Sequence, residues 1–214
     1  MAIDEDIIAW WNFEDGALVD ATGNGHDGTL TSGEFLEGVV GDSLAVDGNA
    51  DYATVPHDDA FNAAGSFSIS VWVRPASPGL NGIMGILCKG PRGGNPQDWG
   101  FYLWGGQIGF DFNYPSGEAY KLSTGASIPL DQWTHIAGVR DIDSGVIRFY
   151  QDGAYLSEIA WTTPIVASGT DLVIATDAGT PHDYSGQLDE LMYWGRALSD
   201  EEVSDLYSEV AGER

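Results

Sequence analysis

Cysteine is almost absent: Cys88 stands alone, so no intrachain disulfide can hold the fold. Set in the apolar run Ile83-Met-Gly-Ile-Leu-Cys88, it is expected to be a small buried apolar residue. Cations are nearly as scarce. Eight lysines and arginines face 33 aspartates and glutamates, a formal net charge of −25, and the only lysines are Lys89 and Lys121. Phosphate binding needs a basic footprint, so no nucleic-acid partner is expected, and an anionic membrane surface is disfavoured for the same reason. No apolar run approaches the roughly 20 residues that span a bilayer, so membrane insertion is not expected either. The first residues, Met1-Ala-Ile-Asp-Glu-Asp-Ile-Ile-Ala-Trp-Trp, lack the basic and apolar regions of a secretory signal peptide.

What the chain does have is aromatic and turn-forming: 214 residues, 43% apolar, with 29 Gly, 8 Trp and 9 Tyr. That apolar content is too high for a disordered acidic chain, and the length suits a single domain, 1–214, with a core over roughly 7–198. The acidic, lysine-poor balance points to a protein adapted to high salt. At molar salt the Debye length falls to about 3 Å, so dense carboxylates cease to repel one another and keep the surface hydrated.

Short apolar runs separated by Gly, Pro, Asn and Asp clusters recur every roughly 8–12 residues, as in a β-sandwich. Phe67, Ile69, Val71 and Val73 alternate with Ser68, Ser70, Trp72 and Arg74. Ile108, Phe110, Phe112 and Tyr114 alternate with Gly109, Asp111 and Asn113, so both segments are period-2 strands with one apolar face. Residues 132–139 and 146–151 flank an Asp-Ser-Gly turn as a hairpin. Ser199 and Glu202 form a capping box ahead of Val203, Leu206, Tyr207 and Val210, which predicts a short C-terminal helix over 199–211. The fold class is therefore all-β, two antiparallel sheets packed face to face, closed by that helix.

Five blocks stand in a recognisable order: Trp11-Asn-Phe-Glu-Asp-Gly16 with Asp20-Ala-Thr-Gly-Asn-Gly-His-Asp-Gly28; Leu44-Ala-Val-Asp-Gly48 with Asp51-Tyr-Ala-Thr-Val-Pro56; Phe67 to Pro75; Gln132-Trp-Thr-His-Ile-Ala137; and Ser185-Gly-Gln-Leu-Asp-Glu-Leu-Met-Tyr-Trp-Gly-Arg-Ala-Leu198. In this order they resemble laminin-G-like, concanavalin A-like lectin/glucanase domains. The resemblance implies a jelly roll that works outside cells. Lacking an export signal, the chain would reach the outside on a particle released by lysis, such as a virion, unless it has been trimmed.

Asp20, Thr22 and Asn24 occupy positions one, three and five of a loop turned by Gly25, which suits a hard cation with oxygen ligands, calcium above others. The competing reading is that Asp20 and Asn24 merely cap a turn through their own backbone. The resemblance places the first and last strands together, which implies Asp189 and Glu14 as further ligands of a structural calcium. A literal G-x-G-x-x-G in the same loop has no βαβ context and does not point to a dinucleotide.

The second loaded stretch runs from Asp98 to Tyr114 and is dense in aromatics. Most of its rings suit a core, but Trp99, Tyr102, Trp104 and Tyr114, with Asn113 for hydroxyl groups, are candidates for stacking on sugars. The polar loops 89–97 and 175–184 are candidate recognition loops. For catalysis the pattern E-x-D-x-x-E on one strand face is missing, as are G-x-S-x-G, H-E-x-x-H and a Cys/His pair. The expectation is a non-catalytic recognition or display module for a glycan or cell-surface glycoprotein, on the surface of a virion or other particle from a saline habitat. A structural, cementing protein of an assembly, as a homo-oligomer, is the alternative; a glycoside hydrolase or polysaccharide lyase stands behind both.

Overall fold

The structure is a computed structural model that describes residues 6–90, 98–114, 117–165, 167–177 and 182–212; the side chains of 113, 114 and 117–120 lie outside the description. Its strands run β1 (Ile7–Trp11), β2 (Thr29–Leu30), β3 (Glu34–Glu37), β4 (Asp42–Asp47), β5 (Ala53–Val55), β6 (Phe67–Pro75), β7 (Ile83–Lys89), β8 (Trp99–Trp104), β9 (Gln107–Tyr114), β10 (Gly117–Leu122), β11 (Thr134–Asp141), β12 (Val146–Gln151), β13 (Ala154–Ala160), β14 (Leu172–Ile174) and β15 (Ser185–Trp194), followed by helix α1 (Asp200–Ala211). They form two antiparallel sheets. The first has the order β13-β12-β11-β6-β15-β4-β3, with β1 also on β15; the second has the order β10-β9-β8-β7-β14-β5-β2.

Alternation decides what each strand buries. Phe67, Ile69, Val71 and Val73 of β6 are all 0% exposed and meet Phe101, Ile108, Phe110 and Ile174 of the second sheet in one cluster. At roughly 1.5–3 kcal/mol for each such side chain removed from water, this core is the main source of stability. The expected hairpin is present as β11 and β12, paired from Ile136–Gln151 to Asp141–Val146.

The opposite face of β6 would leave Trp72 in water, and α1 covers it. Ser199 caps the helix with the reciprocal Glu202 bond of a capping box, satisfying N–H groups that a helix start leaves open. Val203 packs with Ala137, Val139, Tyr150, Met192 and Trp194, while Tyr207 stacks on Trp72 at 5.5 Å. Both faces of the first sheet are thus dry over its middle.

β15 changes partners along its length. Ser185–Leu188 pair with β4 and Leu191–Trp194 pair with β1, while β6 lines its other edge throughout except at a bulge between Asp189 and Met192. Glu190 takes φ 51 there, a bulge geometry that turns side chains out of the simple alternation. Among the described residues no helix is long and apolar enough to cross a membrane.

Candidate functional site

The four expected calcium ligands fall at two separate places. Asp20 Oδ1 accepts from the backbone N–H groups of Trp10 and Thr22 (both 3.1 Å) and from Thr22 Oγ1 (2.7 Å), and its Oδ2 accepts from His26 N (3.1 Å). Asn24 Nδ2 donates to the carbonyls of Ile7 (3.1 Å) and Ile8 (3.0 Å). Burial raises the Asp20 pKa, but the bonds from Thr22, His26 and Trp10 outweigh it and hold the carboxyl below its ordinary value. Three donors converge on Oδ1 and one on Oδ2. Asp20 caps its own turn through the N–H groups of Thr22 and His26, and with Asn24 it also ties that turn to β1.

Asp189 and Glu14 stand together at the second place, the gap where β15 passes from β4 to β1. Asp189 Oδ2 accepts from Val39 N (2.7 Å) and Val40 N (3.2 Å), and its Oδ1 from Glu190 N (2.8 Å). Glu14 Oε1 accepts from Asp42 N (3.1 Å). The two carboxylates pin the 38–42 loop into the gap. Burial, only partly offset by the N–H donors of Val40, Val39 and Glu190 and reinforced by Glu14, raises the Asp189 pKa to about 7. The four residues expected in one calcium shell thus lie as two pairs, Asp20 with Asn24 and Glu14 with Asp189: the carboxylate oxygens of Asp20, Asp189 and Glu14 accept from N–H groups while Asn24 donates from its amide, and among the described residues no three His, Cys, Asp or Glu side chains gather as a metal site.

The aromatic stretch is also redistributed. Trp99 is 0% exposed; its Nε1 donates to Phe61 O (3.0 Å) and its ring stacks on Tyr193 at 5.6 Å. It is core, not a sugar platform. Tyr102 faces outward from the second sheet, yet is buried: its hydroxyl donates to Phe110 O (3.1 Å) and its ring lies over Gly109, where a Cβ would sit 2.7 Å from it. At Gly85 the backbone of Thr176 comes down onto the same face, 2.5 Å from where a Cβ would be. This face is filled by the chain itself, and of the candidate rings with described side chains only Trp104 is half-exposed. The side chains of Asn113 and Tyr114 lie outside the described part, as do residues 91–97 of the loop 89–97 and 178–181 of the loop 175–184.

One arrangement in the structure has the look of nucleophilic chemistry. Ser70 Oγ lies 2.8 Å from His135 Nε2, but the two residues are 3% and 1% exposed, and Tyr207 of α1 lies 5.9 Å from the His135 ring. Burial lowers the His135 pKa to about 3. A neutral imidazole sealed from substrate is a structural element.

Among the described residues, an open surface lies on the first sheet near the end of α1. Arg74 of β6, Gln187 of β15, Ala45 of β4 and Glu34 of β3 form one cross-strand row, on the face opposite the buried Val73, Leu188 and Leu44. The methyl of Ala45 leaves the centre of the row low. Around it is a cleft of about 690 Å³, lined also by Asp47, Asp51 and Asp131; it meets a second hollow of about 500 Å³ at Leu36, Arg74 and Gln187, walled by Trp133 and Glu37. Gly186, at φ 138, lets β15 approach the Arg74 carbonyl, which would lie 2.2 Å from a Cβ there.

Arg74 is the feature of this groove that composition makes unusual. Its Nη1 donates to Gln187 Oε1 (3.0 Å) and its Nε to Asp131 O (3.3 Å). Gln187 is itself fixed, donating from Nε2 to Glu37 O (3.0 Å) and Ser43 Oγ (2.8 Å). Arg148 and Arg196 pair with carboxylates and Arg140 is buried on carbonyls. Arg74 makes no ion pair among the described residues, in a chain with 33 acids. Trp133 packs on the Trp72–Val210 cluster on one side and lines the groove on the other. Sequence reasoning missed these residues. The usable signal was the outward position of Arg74 in a period-2 strand.

The family model described as Concanavalin A-like lectin/glucanases superfamily matches residues 47–204. No curated protein sequence matches the chain. Among solved structures, the binding domain of Paraclostridial Mosquitocidal Protein 1 is similar over 95% of this chain (TM-score 0.80, 15% identity), which spans 52% of that one. Domain 4 of AbnA, an extracellular GH43 arabinanase from Geobacillus stearothermophilus, solved with arabinotriose, is similar over 94% of this chain and 98% of its own (TM-score 0.75, 22% identity). The binding domain of botulinum neurotoxin DC, solved with SialylT, is similar over 97% of this chain and 52% of its own (TM-score 0.74, 15% identity).

Proposed function

Since the chain belongs to the concanavalin A-like lectin/glucanases superfamily, we propose that it is a non-catalytic carbohydrate-recognition module that binds at the Arg74–Gln187–Trp133 groove. The observation that carries this is Arg74, which makes no ion pair among the described residues and is held in a fixed orientation by an amide that is itself fixed on both sides. Sugar recognition needs such pre-set donors and acceptors beside an apolar wall, and Trp133 and Leu36 supply the wall. The domains solved with arabinotriose and with SialylT share the fold and support a saccharide as the ligand class. The buried Ser70–His135 pair supports recognition over turnover.

The setting proposed with it is extracellular and saline, with the module presented to a cell-surface glycan. The net charge of −25 supports that setting, since self-repulsion of such a surface destabilises the compact state until salt screens it. Calcium has no place in this reading, and addition of a chelator should leave binding unchanged.

A glycan array probed in multimolar salt tests the proposal. Trp133→Ala should weaken the best hit about tenfold, the loss of roughly 1.5 kcal/mol of aromatic contact, while Trp104→Ala leaves it unchanged. Loss with Trp104→Ala alone would move the site to the second sheet. A blank array on a folded protein would refute recognition of sugars.

A further inference from the structure

We propose that this groove selects uncharged saccharides and rejects uronate, sialylated and sulfated ones. The inference rests on the reading of the groove as the glycan site and adds its ligand class. Five carboxylates line the two hollows, Glu34, Glu37, Asp47, Asp51 and Asp131, against the single guanidinium of Arg74. An anionic sugar entering there meets like charge from several walls, within a chain already at −25.

Hydrogen-bond chemistry points the same way. Carboxylates only accept, so they complement the hydroxyl donors of a neutral sugar and offer nothing to a second carboxylate or a sulfate. Asp47 and Asp51 are held in place at this wall: Asp51 Oδ2 accepts from Asp47 N (3.0 Å), Asp47 Oδ1 accepts from Asn49 N (2.8 Å), and the Asp51 carboxyl is also bonded by Ser32. Hydrogen bonding to Ser32 outweighs burial and keeps the Asp51 carboxyl below its ordinary pKa. Arg74 has one donor on Nε and one on Nη1 engaged, and Nη2 remains to reach a hydroxyl or ring oxygen. The groove thus offers many acceptors and one donor fork, the inverse of a site for anions.

The test is a calorimetric comparison of the tightest neutral oligosaccharide from the array with its own C6-oxidised uronate form, at the lowest salt that keeps the chain folded. The neutral form should bind at least about tenfold tighter, with the gap closing in roughly 2 M salt as screening lengths fall to a few Å. In Glu34→Gln/Glu37→Gln/Asp131→Asn the gap should narrow several-fold, and Asp47→Asn serves as an independent variant if that triple change fails to fold. A uronate form that binds as tightly as its neutral parent overturns the charge selection and leaves the glycan site standing. A gap that neither variant narrows overturns the assignment to this groove. Absence of any saccharide binding overturns the site itself.

Discussion

Two buried titratable groups pull stability in opposite directions with pH. Asp189, raised to about 7 by burial and Glu14, binds its proton more tightly in the fold than in the unfolded chain. Its contribution is complete below the unfolded value near 4 and is lost as pH rises through about 7. His135, lowered to about 3 by burial, stays neutral in the fold. Its contribution is complete above the unfolded value near 6.5 and is lost as pH falls toward 3. Carboxyl carbon shifts by NMR should show Asp189 titrating near neutrality, and a midpoint below 4 would discard that limb. Melting curves of His135→Gln should lose the acid-side slope. Gly38→Ala is the steric counterpart: its Cβ would stand 2.5 Å from Asp189 Oδ2, so denaturant unfolding should show a loss of about 1–3 kcal/mol.

Among the elements, α1 is the clearest case of local instructions agreeing with tertiary need. Removing its cap with Ser199→Ala should cost about 1 kcal/mol by chemical denaturation, since Glu202 N donates to the Ser199 hydroxyl oxygen, while the bond from Ser199 N to Glu202 is kept. The same box, the alternation in β6 and β9 and the 132–151 hairpin were legible because each is a short-range pattern whose period matches its structure. The bulge at Asp189–Glu190 was not, because it answers to a change of partner strand set by residues far away in sequence. For the same reason Asp20 and Asp189, plausible together on residue type, are committed separately, Asp20 to N–H groups of β1 and of its own turn and Asp189 to those of the distant 38–42 loop. Aromatic density marked Trp99 and Tyr102, but density does not distinguish a packed ring from an open one. Arg74 carried no motif at all; only cross-strand neighbours made it part of a groove.

At the scale of the whole molecule the charge governs behaviour. Eight cations cannot neutralise 33 acids, so the melting temperature should climb steadily from dilute buffer into multimolar salt; a curve flat across that range would remove salt adaptation from the proposed setting. Topology adds a separate consequence through β15. Its neighbours β1, β4 and β6 are all far upstream, with Trp10 and Glu190 bonded across a separation of 180 residues and Val39 and Asp189 across 150. During synthesis the edges that β15 will occupy must wait, unpaired, until it emerges from the ribosome. Pairings this non-local make for folding in milliseconds to seconds. In that interval the mutual repulsion of acidic nascent chains would keep their bare strand edges from joining one another.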